Sequence, residues 1–222
     1  MTQLSDGIFY SVRRSDRARR VRVRIDPGRG VEVVLPRRAA ERDAAAAVRE
    51  LKPWIERRLL EANRHQQTLA ARGDTLPYLG TTLTLVAQAG RERVVQRDHT
   101  LLIPAGEKGE SALERWYRRM ARVEITPRVD RACAQLGGEY SKLSIRGQRT
   151  RWGSCSRIGA LSFNWRLLLA PEAVLDYVIW HEVCHLKVMD HSQRFWSLVA
   201  ANCPDYRNQI TWLRRNGATL VL

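Results

Sequence analysis

Apolar and charged residues alternate in Val21-Arg22-Val23-Arg24-Ile25, and the alternation resumes in Val31-Glu32-Val33-Val34-Leu35. A period of two predicts strands with one buried face. Pro27-Gly28-Arg29-Gly30 between them is turn chemistry, so the pair predicts a β-hairpin with an arginine face. From Arg38 to Leu51 good helix formers dominate, and Pro53 is expected to break or kink that helix before Trp54-Ile55. Short apolar runs at 82–86, 93–95 and 101–103, punctuated by Gly80, Gly90 and Asp98, predict a small antiparallel sheet. Gly106 to Gly109 reads as a linker, which divides the chain into a β-rich basic region, 1–108, and a second region, 109–222.

Ser111 to Leu136 has helical spacing, with Trp116, Met120 and Val123 on one face and Pro127 as a kink or a second start. Lys142 to Ile145, the segment around Trp152, and Leu161 to Leu169 are predicted strands, punctuated by Gly147, Gly153 and Gly159. Pro171 and Glu172 open a helix expected to run to Val188. Apolar residues surround this helix almost completely, so it is predicted to be buried on most sides. Its polar residues His181, Glu182 and His185 would then be costly to bury without partners. No internal repeat or low-complexity tract stands out along the chain.

Composition changes the picture in two places. The 222 residues, 44% hydrophobic and 27% charged, suffice for a sizeable core. Net charge is +15, concentrated upstream: +7 over residues 1–60, +2 over 61–120, +6 over 121–170 and zero beyond. All but four of the 38 basic residues are arginine, which matches phosphate and carboxylate geometry better than lysine does. No apolar run reads as a signal peptide or spanning helix, so a cytoplasmic protein with no membrane partner is expected. Cys133, Cys155, Cys184 and Cys203 form no C-x-x-C pair and are expected to be reduced thiols.

His181-Glu182-Val183-Cys184-His185 has the H-E-x-x-H pattern, whose i, i+4 spacing sets two imidazoles one turn apart on one helix face. Glu182 stands where it can reach a water on the shared ion, the arrangement of a zinc hydrolase. Residues 183–222 hold no glutamate, so Asp190, His191, Cys203 and Asp205 remain as a third ligand. His191 is favoured by its spacing, that of the third histidine in the metzincin pattern. Val188 stands where metzincins have glycine, and no methionine lies downstream of Met189 for a Met-turn. A second helix start at Asp190-His191-Ser192-Gln193 is expected to bend the chain instead, with Asp190 as cap.

Arg151-Trp152-Gly153-Ser154-Cys155, Leu161-Ser-Phe-Asn-Trp-Arg-Leu, His181-Glu-Val-Cys-His-Leu and Asp190-His-Ser-Gln-Arg-Phe-Trp together resemble the YgjP-like metallopeptidase family, a zincin group related to SprT-like and WLM proteases. The resemblance covers residues 140–200. It implies an α+β fold with a zincin-like catalytic core, a small antiparallel sheet plus an active-site helix. It also implies zinc on His181, His185 and His191, with Glu182 as general base. Arg149, Arg151 and Arg166 are candidate substrate-binding residues, and Tyr177 and Tyr206 candidate electrophiles. Trp165, Trp180, Trp196 and Trp212 are expected in the core.

The expected function is zinc-dependent hydrolysis of peptide bonds through a Glu-activated water. The alternatives are a metal-dependent nucleoside triphosphate pyrophosphatase and a nucleic-acid-tethered protease of SprT-like type. The first has no G-x-x-x-x-G-K-[ST] loop to support it. The second would use Arg13, Arg14, Arg17, Arg19, Arg20, Arg22 and Arg24 to neutralise phosphates. Peptide or protein is thus the expected partner, with nucleotide or nucleic acid as the alternatives.

Overall fold

The computed structural model describes residues 2–26, 30–148 and 150–222. The chain divides into two units, Met1–Ala71 and Arg72–Leu222. In the first, strands β1 (Thr2–Ser5), β2 (Ile8–Ser15), β3 (Arg22–Asp26) and β4 (Gly30–Pro36) form one sheet in the order β1-β2-β4-β3. β3 and β4 pair antiparallel, as the alternation predicts, while β2 runs parallel to β4. The predicted turn residues Pro27, Gly28 and Arg29 lie outside the described residues. Ile8, Tyr10, Val31, Val33 and Leu35 turn inward and pack with Ala44, Val48 and Ile55 of α1 (Glu41–Glu50) and α2 (Lys52–Ala70). Asp43 caps α1 by accepting from the Ala40 N–H at 3.0 Å. Pro53 falls in the first turn of α2, where it has no helical hydrogen bond to lose.

The second unit opens with β5 (Thr75–Tyr78), β6 (Thr81–Gln88), β7 (Val95–Arg97) and β8 (Thr100–Pro104), ordered β5-β6-β8-β7. This sheet is mixed rather than antiparallel, because β6 pairs with β8 in parallel. The apolar strand Thr-Leu-Leu-Ile-Pro takes the central position and the exposed Val-Gln-Arg strand takes the edge. The same topology thus occurs in both units, two hairpins joined by a central parallel pair and followed by a helix.

Leu76, Leu83 and Leu101 share a core with Trp116, Tyr117 and Leu167, and the Leu79 N–H donates to Leu168 O at 2.8 Å. That shared core ties the sheet to the second unit, so the division between units falls at 71/72, whereas sequence alone suggests 108/109.

Helix α3 (Lys108–Leu136) is continuous through Pro127, which lies on the exposed side, where water can satisfy the carbonyl it leaves unpaired. Its buried stripe runs through Leu113, Trp116, Tyr117, Ile125 and Val129. Val123, expected inside, is 57% exposed. β9 (Lys142–Arg146), β10 (Gly153–Cys155) and β11 (Ala160–Asn164) form a third sheet, ordered β10-β11-β9, antiparallel at β10 but parallel at β9. The strand expected to reach Leu169 stops at Asn164, whose side-chain oxygen accepts from the Arg166 N–H and caps a 3₁₀ turn over Trp165–Leu169.

Helices α4 (Glu172–Cys184), α5 (Gln193–Asn202) and α6 (Tyr206–Asn216) complete the unit. Arg128 of α3 pins the start of α4, donating to Glu172 and lying 3.2 Å from Asp176. The architecture is α+β. No helix among the described residues is long and apolar enough to cross a membrane.

Candidate metal centre

Helix α4 is buried through Val174, Leu175, Val178, Ile179 and Val183, and the same burial carries His181 and Glu182 into the protein. The helix ends at Cys184, sooner than expected, and His185, Leu186 and Lys187 continue as a turn. No residue from 185 to 192 has a positive φ, which is why valine can stand where metzincins need glycine. Asp190 closes the bend by accepting from the Ser192 N–H at 3.0 Å. The helix cap itself is Ser192, so Asp190 shapes the turn before α5 and does not cap it directly.

The bend brings His191 back to α4. The ligand atoms of His181, His185 and His191 lie within 4.8 Å of one another, a group able to hold a metal ion. His181 Nε2 and His191 Nε2 are 3.2 Å apart. Two nitrogens about 2.0–2.1 Å from one tetrahedral zinc would be separated by about 3.3 Å, so the spacing fits. The outer nitrogens are committed elsewhere. His185 Nδ1 lies 3.0 Å from Val188 O, a carbonyl that can only accept, so Nδ1 carries the proton and Nε2 is left to the metal. His181 Nδ1 lies 3.4 Å from the Tyr177 hydroxyl, one helical turn earlier. Phe195 stacks on His185 with ring centroids 4.4 Å apart, and Trp196 lies against His181 and His191.

Burial, reinforced by the neighbouring imidazoles, pushes the His181 pKa down to about 4, and burial also lowers that of His185. Both rings are therefore neutral at neutral pH, as ligation requires. Glu182 is 6% exposed. Burial raises its carboxyl to about 7, while Arg151 and the Cys155 N–H, which donates to it, pull the other way. Burial and the nearby Glu182 push the Tyr177 phenol up to about 12.

A cleft of about 220 Å³ is lined by Arg151, Gly153, Tyr177, His181, Glu182 and their neighbours. Arg151 therefore joins His181 and Glu182. Arg166 does not: its guanidinium lies over the Trp165 ring at 4.5 Å and donates to Gly147 O. Arg149 lies outside the described residues. Tyr206 stacks on Trp196, one ring removed from the histidines. Trp165 is deep in the core, whereas Trp180, Trp196 and Trp212 pack against it only partly buried. All four cysteines are free, Cys133 and Cys184 buried and the other two half-buried.

Sequence reasoning missed three contributors: the Cys155 N–H, the close packing of Gly153 on Glu182, and the aromatic wall of Phe195 and Trp196. Tyr177, a candidate electrophile from the sequence, stands at His181 Nδ1 instead, and its i−4 spacing to His181 is the signal for that contact.

The metallopeptidase zymogen of Methanocaldococcus jannaschii jannalysin is similar at 21% identity and a TM-score of 0.36, covering 40% of this chain and 95% of its own. That of Pyrococcus abyssi abylysin is similar at 24% identity and a TM-score of 0.36, covering 41% and 96%. No curated protein matches the chain. Residues 19–216 match the model of the YgjP-like metallopeptidase domain, so the chain belongs to that family.

Proposed function

We propose that the protein is a zinc metallopeptidase in which His181, His185 and His191 hold the metal and Glu182 is the general base. The observation that carries this reading is the convergence of three imidazoles, two of them 3.2 Å apart at Nε2, beside a buried carboxylate. A bound zinc supplies Lewis acidity, polarising a carbonyl and lowering the pKa of water to about 7.

The chain's own residues supply the rest. Glu182, with a pKa of about 7, is matched to taking a proton from the nucleophile and returning it to the leaving amine near neutral pH. The Cys155 N–H and Arg151 hold that carboxylate in the cleft. Tyr177 and Val188 keep the outer histidine nitrogens occupied. Arg151 is the residue placed to grip a substrate oxygen, while Arg166 shapes the loop that carries it. Peptide or protein is the substrate.

The first test is elemental analysis of the purified protein beside His191→Ala, followed by peptide assays. About one zinc per chain is expected in the wild type, with strong loss in His191→Ala. Glu182→Gln should keep its zinc and lose turnover by about 10²–10⁴. Full activity in Glu182→Gln would overturn the mechanism. Turnover of nucleoside triphosphates without peptide cleavage would move the same centre to phosphate chemistry.

A further inference from the structure

The outward face of the first unit's sheet takes no part in the metal centre. Since Ile8, Tyr10, Val31, Val33 and Leu35 turn inward, the alternation sends Phe9, Ser11, Arg13, Glu32, Val34, Arg22 and Arg24 to the other side. Register groups them. Arg13 and Arg22 both flank Val34, and Arg24 pairs with Glu32. Val34 is buried although it lies on the outward face. Arg13 donates to Glu32 at 3.0 Å, the one ion pair on this face among the described residues, and leaves Arg22 and Arg24 without a carboxylate. Arg17, Arg19 and Arg20, all exposed, extend the charge along the β2–β3 connection.

Next to this basic field the sheet exposes an aromatic ring. Phe9 is 68% exposed and its cross-strand partner Leu4 is 61% exposed. Gly7 of the β1–β2 turn and Ser11 of β2 stand two residues to either side of Phe9, and Gly30 lies beside it on β4, one step from the Tyr10–Val31 pair. Small residues on three sides leave the ring uncovered. Burying neither Phe9 nor Leu4 has an apolar cost that the fold does not recover.

We propose that this face binds single-stranded nucleic acid, with a base stacked on Phe9 and phosphates on Arg13, Arg22 and Arg24. An exposed aromatic within a basic sheet face is the combination such strands require, because every base offers a π-face and the backbone tracks the charge. Neighbouring strands lie about 4.8 Å apart, so Arg13 and Arg22, two strands apart, stand about 10 Å apart at Cα. Long side chains at that separation can reach two different phosphates of one extended strand. Guanidinium groups also match phosphate geometry. A duplex hides its base faces and could use only the charge.

The test uses the whole protein and fluorescence anisotropy with a labelled oligothymidylate. Binding at low salt is expected, falling with a log–log slope of about −2 to −4 as salt is raised, the mark of three to five neutralised phosphates. Phe9→Ala should weaken binding about ten-fold or more, and the double variant Arg22→Glu/Arg24→Glu should weaken it further and flatten the slope. All three side chains are exposed, so the fold is expected to survive, as circular dichroism can verify. Were Phe9→Ala to unfold, the arginine variant would decide alone. Absence of binding at low salt overturns the proposal. So does equal affinity for a duplex of the same length or for phosphatidylserine vesicles, or wild-type affinity in the variants.

Discussion

Gly153 and Glu182 compete for the same space. A Cβ at position 153 would lie 2.5 Å from Glu182 Cγ and 2.6 Å from Oε1. Gly153 has no positive φ, so the backbone does not demand glycine there; the carboxylate does. Sequence inspection reads this glycine as turn punctuation, and nothing in the local pattern reveals a side chain from a helix some thirty residues away. Glu182 is walled in and cannot retreat without leaving the Cys155 N–H. Gly153→Ala should therefore keep its zinc yet lose about 10²-fold in kcat, the scale of displacing a catalytic group by about 1 Å. Metal analysis beside a peptide assay checks this, and wild-type kcat in the variant would show that Glu182 can act from elsewhere.

Between β9 and β10 the chain makes a loop whose shape depends on one buried side chain. The Asn164 amide donates to Gln148 O at 2.7 Å and to Arg151 O at 3.1 Å, while its oxygen accepts from the Arg166 N–H. A strand end thus holds the loop that delivers Arg151 to the cleft. Asn164→Ala leaves two carbonyls unpaired and should cost about 1–3 kcal/mol in urea unfolding. Because the histidines stand on other elements, zinc content should be unchanged and KM should rise more than kcat falls. An unaltered KM would mean that Arg151 does not need the loop.

The same scale shows what sequence can reveal. α4 was legible because its apolar residues leave no polar face and its histidines stand out against them. The β3–β4 hairpin was legible from strict alternation. β1 and β2 were not, since Thr2 to Ser15 mixes polar and apolar residues without a clean period. All three parallel pairs escaped as well, because strand direction depends on which strand is apolar enough to sit centrally. That property compares distant segments rather than describing one of them.

Across the whole molecule the two four-stranded sheets share one topology without a shared sequence pattern, so the repetition is visible only in pairing. Each unit has its own core, and the three histidines able to hold a metal belong to the second. Stability of that unit should carry the imprint of the centre through proton linkage. In the metal-free chain His181 binds its proton only near pH 4, against about 6.5 when unfolded. The unfolded state therefore holds more protons between those values, and this contribution is full above about 6.5 and lost as pH falls toward 4.

Glu182 has the opposite sign. Its carboxyl is protonated in the fold up to about 7 but only to about 4.5 when unfolded, so its contribution is lost as pH rises through that interval. The two slopes oppose each other between about 4.5 and 6.5, leaving the wild type nearly insensitive to pH there. Glu182→Gln removes only the second. Urea unfolding of the two metal-free proteins at about pH 5 and about pH 8 should show the variant gaining on the wild type as pH rises. Parallel pH profiles would mean that the Glu182 carboxyl titrates alike folded and unfolded, and would withdraw the elevated pKa on which its role as general base rests.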